Sequence, residues 1–396
     1  MMRHWVWAFF LAVLSAGTAR AAVPYVPAGT CAGFPRVALQ STPGSCVGLV
    51  AAHLGFVRGV AVKGHDIYIA DMGGWVPGKG RLLRIGQDGH GAVQVLLTGL
   101  DEPNAVALTP DGGLYMSVLG RIVHVDVAAS PPVLRDVLTG LPDTGRHPLS
   151  ALVVAPDGSL YINVGSATDN CKAAGTATAP LPCPETAGAL PRAAIYHVMP
   201  RADATLVWRD TQPVAFGLRN SMGLAILPGG QLVAAVNARD FINLANPKLS
   251  DEDLPHDTLD VIRPGADYGW PYCYDDNVAA PEYAGFDCAV KQKPDILLPP
   301  HSAPLGLLVY QGAALPALRG MLLVPLHGYR KAGHRLMALR ITAQGVAGPL
   351  VPVVWGWDAA PGAHPQGTPL GLAELPDGSV LITEDHNGTL LRLAPN

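Results

Sequence analysis

Residues 150–165, SALVVAPDGSLYINVG, read as an apolar run, a Pro156-Asp157-Gly158 turn and a second apolar run. Proline presets the first torsion of a tight turn and glycine accepts the positive φ that ends it, so the unit is a β-hairpin. The same figure recurs along the chain at 58–71 (RGVAVKGHDIYIAD), 104–118 (NAVALTPDGGLYMSV), 223–237 (GLAILPGGQLVAAVN) and 371–385 (GLAELPDGSVLITED). A weaker sixth copy, 305–326, has a longer connection between its apolar runs. Further strand-like segments follow most copies, such as RIVHVDV from Arg121 and AAIYHVM from Ala193. A β-sandwich would also use hairpins, but six copies of one unit predict an all-β fold, a six-bladed β-propeller with four-stranded blades. In such a ring the loops leading into the first strand of each blade collect at one end of the channel.

Composition agrees. Glycine (45) and proline (37) are scattered rather than massed in a linker, and only 15% of residues are charged. This predicts one catalytic domain over residues 22–396, preceded by a secretory signal peptide over residues 1–21. The leader has a basic start at Arg3, an apolar run from Trp5 to Leu14 and Ala19-Arg20-Ala21 as a cleavage site. Its apolar run falls short of the roughly 18 residues a membrane span needs, and no later run reaches that length. With no twin-arginine pair, Sec-type export to the periplasm or the medium is expected. The chain carries a formal charge of −4, and losing the leader removes Arg3 and Arg20, leaving it more acidic. Such a surface disfavours nucleic acid as a partner.

Six cysteines fall as three local couples, each bracketing a Gly-, Pro- or Ala-rich loop. Export places them in an oxidising compartment, and the spacing predicts disulfides Cys31–Cys46, Cys171–Cys183 and Cys273–Cys288. No Cys-x-x-Cys or His-rich spacing argues for a metal instead.

The chemistry of this charge-poor chain gathers at loop ends. Gly145-Arg146-His147-Pro148 precedes the third hairpin and Arg219-Asn220 the fourth; a long polar loop follows the fourth, and 326–336 (LHGYRKAGHRL) follows the fifth along the chain, the weaker 305–326 copy. These segments, in order, resemble the soluble sugar dehydrogenases that use pyrroloquinoline quinone, the sorbosone dehydrogenase-like branch above all. The resemblance rests on 145–170 (GRHPLSALVVAPDGSLYINVGSATDN), 216–225 (FGLRNSMGLA), 237–243 (NARDFIN), 253–272 (DLPHDTLDVIRPGADYGWPY), 326–336 and 367–385.

The resemblance implies His147 as the general base, an imidazole able to take a hydroxyl proton near neutral pH. It implies Arg219 over the quinone, a fixed cation where negative charge develops, with Asn220 beside it. Arg330, Lys331 and Arg335 are the implied partners of the cofactor carboxylates. Leu254 and Pro255 align with main-chain ligands of a Ca2+ ion, which suits oxygen donors, with Asp257 and the acidic Asp251, Glu252 and Asp253 nearby. Tyr268-Gly269-Trp270-Pro271 reads as a buried structural turn. Arg146 has no implied role. One departure stands out: relatives read Gly-Arg-Pro where this chain has Gly367-Thr368-Pro369, so an expected cation is lost, with His364 and Gln366 the nearest substitutes.

The expected activity is oxidation of a small-molecule sugar, and with no Cys-x-x-Cys-His motif for haem the electron acceptor is a separate molecule. Two alternatives stay open on the sequence: a calcium-dependent lactonase-type hydrolase and a non-catalytic carbohydrate-binding propeller.

Overall fold

The computed structural model describes residues 25–172, 178–328, 330, 332–360 and 367–396. The proposed leader therefore lies outside the described residues. Six sheets, antiparallel in their four blade strands, follow one another around the chain. Blade 1 comprises Val57–Lys63, Asp66–Asp71, Gly80–Ile85 and Val93–Leu100; blade 2, Val106–Leu108, Leu114–Val118, Arg121–Asp126 and Val133–Thr139. Blade 3 comprises Leu152–Val154, Leu160–Val164, Ala194–Val198 and Gln212–Ala215; blade 4, Gly223–Ile226, Leu232–Val236, His256–Val261 and Ile296–Pro300. Blade 5 comprises Leu308–Val309, Met321–Leu326, Arg335–Thr342 and Gly345–Trp355. Blade 6 is built from both ends of the described chain: Pro369–Glu374, Val380–Glu384 and Thr389–Pro395 are completed by Ser45–Ala51, which pairs antiparallel with Thr389–Pro395. The inner strand of blade 6 lies beside that of blade 1, so the ring closes. The six-bladed propeller is thus the observed fold, with one refinement. Blades 2 and 5 each gain a short fifth strand, Leu206–Val207 and Gln40–Ser41.

The repeated turns are alike in atomic detail. Gly112, Gly158, Gly230 and Gly378 all have φ of +82 to +84°, and each donates its N–H to the carbonyl three residues earlier at 2.8–3.0 Å. In the Pro-Asp-Gly copies the aspartate side chain accepts the N–H two residues on, as Asp157 does from Ser159 and Asp377 from Ser379, both at 3.0 Å. Local chemistry alone closes these hairpins.

Packing occurs between blades. Leu152, Leu160 and Ile162 of blade 3 meet Ile122 and Leu138 of blade 2, while Ala225, Val233 and Leu259 of blade 4 meet Leu322 and Val324 of blade 5. The remaining four seams are filled in the same way. Each apolar strand face therefore finds its partner only in the next repeat. The three expected disulfides are present, with Cα–Cα separations of 5.8, 6.0 and 6.0 Å. Cys31–Cys46 pins the strand that closes the ring, and the other two stiffen long loops beside the channel mouth, where Cys171, Cys183, Cys273 and Cys288 share a core with Trp270, Tyr272 and Tyr283. Among the described residues no helix is long and apolar enough to cross a membrane.

Candidate active site

Loops from blades 1, 3, 4 and 5 enclose a cavity of about 530 Å³, a size ordinary for small-molecule sites. His147 stands on the lead-in to the inner strand of blade 3 and lines it. Its Nδ1 is 3.1 Å from the Ser166 carbonyl and 2.9 Å from Ser166 Oγ. A carbonyl can only accept, so Nδ1 carries the proton; Ser166 Oγ spends its own hydrogen on the Thr168 carbonyl, 2.7 Å away, and accepts as well. That assignment leaves the lone pair on Nε2, which has no hydrogen-bond partner among the described residues. Burial, then the positive charge of Arg219, pushes the His147 pKa down to about 2, with Arg146 adding to the effect against the pull of Ser166 and Asp240. The imidazole is therefore neutral at any working pH. Gly165 allows this placement, since a Cβ there would come within 2.6 Å of His147 Cβ and 3.1 Å of Asn220 Oδ1.

Arg219 is 3% exposed. Its Nε donates to the Asp169 carbonyl at 3.2 Å and Nη1 to the Asn237 carbonyl at 3.1 Å, and Nη2 pairs with the Asp169 carboxylate. Trp270 Nε1 also donates to that Asp169 carbonyl, at 3.0 Å, so the Tyr-Gly-Trp-Pro turn braces the site from behind. Asp240 joins the cluster: Arg146 Nη2 lies 2.6 Å from its Oδ2, Arg219 Nη2 3.6 Å from the same oxygen, and His301 Nδ1 3.4 Å from Oδ1. Burial alone would raise the Asp240 pKa, but His301, Arg219 and Arg146 hold it well below the ordinary carboxylate range. The His301 pKa is raised. Burial opposes that shift, and Asp240, Asp257 and Asp251 overcome it. One wall thus carries two histidines whose pKa values are pushed in opposite directions, His147 down and His301 up.

The other sequence-predicted residues divide. Asn220 lines the cavity, as does Asn237, and the amide oxygen of each is buried without a partner among the described residues. Arg330 lines it too, held by the Asp251 carbonyl at 2.9 Å, the Asp251 carboxylate and Glu252 Oε1 at 3.1 Å. Arg335 sits in the third strand of blade 5, donates from Nε to the Gly333 carbonyl at 3.0 Å, and is not among the cavity's lining residues. Lys331, His364 and Gln366 lie outside the described residues.

Asp257 lines the cavity but is committed to protein donors: Oδ1 accepts from Ala238 N at 2.8 Å, and Oδ2 from Ala303 N at 2.7 Å and Ser302 Oγ at 3.1 Å. It ties blade 4 to the lead-in of blade 5, and burial raises its pKa to about 6 despite those bonds. The Leu254 carbonyl accepts from His301 Nε2 at 3.3 Å. Pro255 borders a smaller cavity of about 60 Å³ behind Arg219. Thr368, where a cation was expected from relatives, donates to Asp385 Oδ1 at 2.7 Å.

Four contributors escaped the sequence reading: Asp169, Asp240, His301 and Arg58. Asp240 lies inside the quoted 237–243 segment, and His301 occupies the lead-in to blade 5, the very position flagged for inspection. Arg58 heads the first hairpin. Asp169 carried no signal beyond its place in the His147 segment.

Half-exposed Trp75 and Phe241 flank the cavity mouth from blades 1 and 4.

Comparisons with known proteins place this geometry. The chain resembles, over 93% of its length and all of the other chain, a Trichoderma reesei carbohydrate-active enzyme of family AA12, at 17% identity and a TM-score of 0.74. It resembles the PQQ domain of Coprinopsis cinerea pyranose dehydrogenase in its holo form (17% identity, 92% and 99% covered, TM-score 0.71). A third is the PQQ-bound aldose sugar dehydrogenase of Streptomyces coelicolor (17% identity, 90% and 100% covered, TM-score 0.60). At such identities the likeness speaks for the fold. No curated protein shows significant sequence similarity. The model of the glucose / sorbosone dehydrogenase family matches residues 107–326, more than half of the chain and most of the cavity wall, and the chain therefore belongs to that family.

Proposed function

We propose that the protein is an exported, pyrroloquinoline quinone-dependent sugar dehydrogenase that oxidises an aldose or a sorbosone-like carbon, with His147 as general base. The observation that carries this reading is the geometry of His147: its proton is held on Nδ1 by the Ser166 carbonyl and its Nε2 lone pair is unengaged, on the wall of a cavity that also holds buried Arg219. Such a nitrogen accepts a hydroxyl proton without first having to lose one. The quinone, when bound, supplies a two-electron acceptor for hydride.

The residues present fit that group. Its three carboxylates need cations, and Arg58, Arg146, Arg219 and Arg330 all border the cavity. Arg219, Asn220 and Arg330 would hold it, the two unsatisfied amide oxygens of Asn220 and Asn237 marking unspent polar capacity in the wall. Buried Arg219 keeps positive charge fixed where negative charge develops. Ca2+ would draw on main-chain oxygens at Leu254 and Pro255, the Leu254 carbonyl retaining a second lone pair beside its bond from His301. Asp257 would act as a brace beneath them. Electrons would pass to a separate acceptor, soluble or membrane-associated. The leader and the three disulfides agree with a periplasmic or secreted protein, and residues 22–396 would form one catalytic domain.

The hydrolase alternative calls for carboxylates free to take a metal on the axis. Asp240 and Asp257, the carboxylates of the cavity wall, are both engaged by protein donors, which favours the redox reading. The test is reconstitution of apo-protein with pyrroloquinoline quinone and Ca2+, followed by dye reduction with a panel of aldoses and sorbosone. Reduction with at least one sugar is expected; failure to bind the quinone overturns the proposal.

A further inference from the structure

At Thr368 the family resemblance leads one to expect an arginine, yet the carboxylate that Thr368 touches has a guanidinium from elsewhere. Asp385 Oδ2 accepts from Arg58 Nη1 at 2.9 Å, while Thr368 Oγ1 and His327 Nε2 lie 2.7 and 3.0 Å from Oδ1. Arg58 comes from blade 1, Asp385 from the end of the second strand of blade 6. The two are joined across the seam that closes the ring.

The Arg58 side chain is held from both ends. Its Nε donates to Asn104 Oδ1 at 2.9 Å, and Asn104 Nδ2 is anchored in turn on the Ser150 carbonyl at 2.9 Å. Its own carbonyl accepts from Thr383 Oγ1 at 2.5 Å. Arg58 is 6% exposed, and what remains borders the cavity. Nη2 has no hydrogen-bond partner among the described residues, and it is not sealed off from the cavity. The contrast with Arg219 is direct, since there every nitrogen bonds to protein.

We infer that Arg58 is a cofactor-anchoring residue, supplying from blade 1 the carboxylate-binding cation that Thr368 no longer provides from blade 6. Asn104 and Asp385 set the plane of its fork in advance, so Nη2 meets an anion with little further loss of side-chain freedom. Asp385 offsets the otherwise costly burial of the Arg58 charge. The threonine fits the exchange: its hydroxyl satisfies Asp385, where a second guanidinium would compete with Arg58 for the same oxygens.

This inference rests on the quinone-binding reading, so the experiment separates the two. Apo-protein is titrated with pyrroloquinoline quinone and with its trimethyl ester by tryptophan-fluorescence quenching and calorimetry, in wild type, Arg58→Lys, Arg58→Met and Arg58→Met/Thr368→Arg, with apo melting curves alongside. Lysine keeps a charge on Asp385 but offers no second nitrogen at a fixed distance. Arg58→Lys is expected to weaken quinone binding about 10-fold and Arg58→Met about 100-fold, the range for a lost charge-assisted bond, while ester binding changes little. Thr368→Arg should restore most of the loss. Wild type that binds no quinone overturns the functional reading and this inference together. Tight wild-type binding with an unchanged Arg58→Lys affinity overturns the Arg58 assignment alone, whether or not Arg58→Met folds. Equal losses for quinone and ester would also overturn it, because they would show a structural tie rather than an anion site.

Discussion

Two walls of the ring are built from the same kinds of residue and left in different states, the first lining the cavity and the second reaching it only through Arg58. Between blades 3 and 4, Arg219 and Arg146 face Asp169 and Asp240, and His147 stands apart with Nε2 unengaged. Between blades 6 and 1, Arg58 faces Asp385, and there the histidine, His327, is bonded to that aspartate through Nε2. On the first wall the arginines are spent on protein and the histidine is available. On the second the histidine is spent and the arginine keeps a nitrogen. On the first wall Asp169 and Asp240 take up the arginines and His147 keeps a bare Nε2; on the second a single aspartate, Asp385, holds both Arg58 and His327.

The sharpest way to break this contrast is His147→Ala. Turnover by steady-state dye reduction should fall 10²–10⁴-fold, as for loss of a general base, with quinone affinity by fluorescence titration nearly unchanged. Unchanged turnover would mean that the wall between blades 3 and 4 is not the proton-handling one.

A second measurement uses pH. The folded pKa of His147, about 2, lies below its unfolded value of about 6.5. Between those values the unfolded chain binds the proton and the folded one does not, so this group's contribution to stability is intact above about pH 6.5 and is lost as pH falls below it. The slope is at most about 1.4 kcal/mol per pH unit for one proton. Apo melting temperature should decline from pH 7 to pH 5, and His147→Asn should flatten that decline. An identical decline in the variant would show that His147 is not the group being charged.

The smallest effect belongs to Ser166→Ala. The Ser166 carbonyl still fixes the Nδ1 proton when the hydroxyl is gone, so turnover should drop only a few-fold, with no shift in its pH profile. A loss as large as that of His147→Ala would show that the hydroxyl, not the carbonyl, orients the ring.

The legibility of these features follows their range. Pro156-Asp157-Gly158 announced its hairpin because the turn is closed by its own proline, aspartate and glycine. Three disulfides were legible because each couple is separated by only 12 to 15 residues. His147 and Arg219 were found because lead-in loops must converge in a ring, and resemblance supplied their roles. Asp257 was legible as acidic and well placed, but its bonds to Ala238, Ser302 and Ala303 come from two blades, and no local pattern records them. Arg335 differs from Arg330 in the same segment: Arg330 borders the cavity, while Arg335 has already entered the third strand of blade 5.

Six hairpins, their turn chemistry and the loops on which reactive side chains fall could be read from the amino-acid order, because they depend on interactions within a few residues. Long-range closure of the ring sets which aspartate meets which arginine, and with it the lowered pKa of His147, the raised pKa of His301 and the unpaired Nη2 of Arg58. Arg58 and Asp385 are 327 residues apart and touch because the last blade closes on the first. Their pairing is a property of the closed ring, where burial strengthens each contact between charged partners.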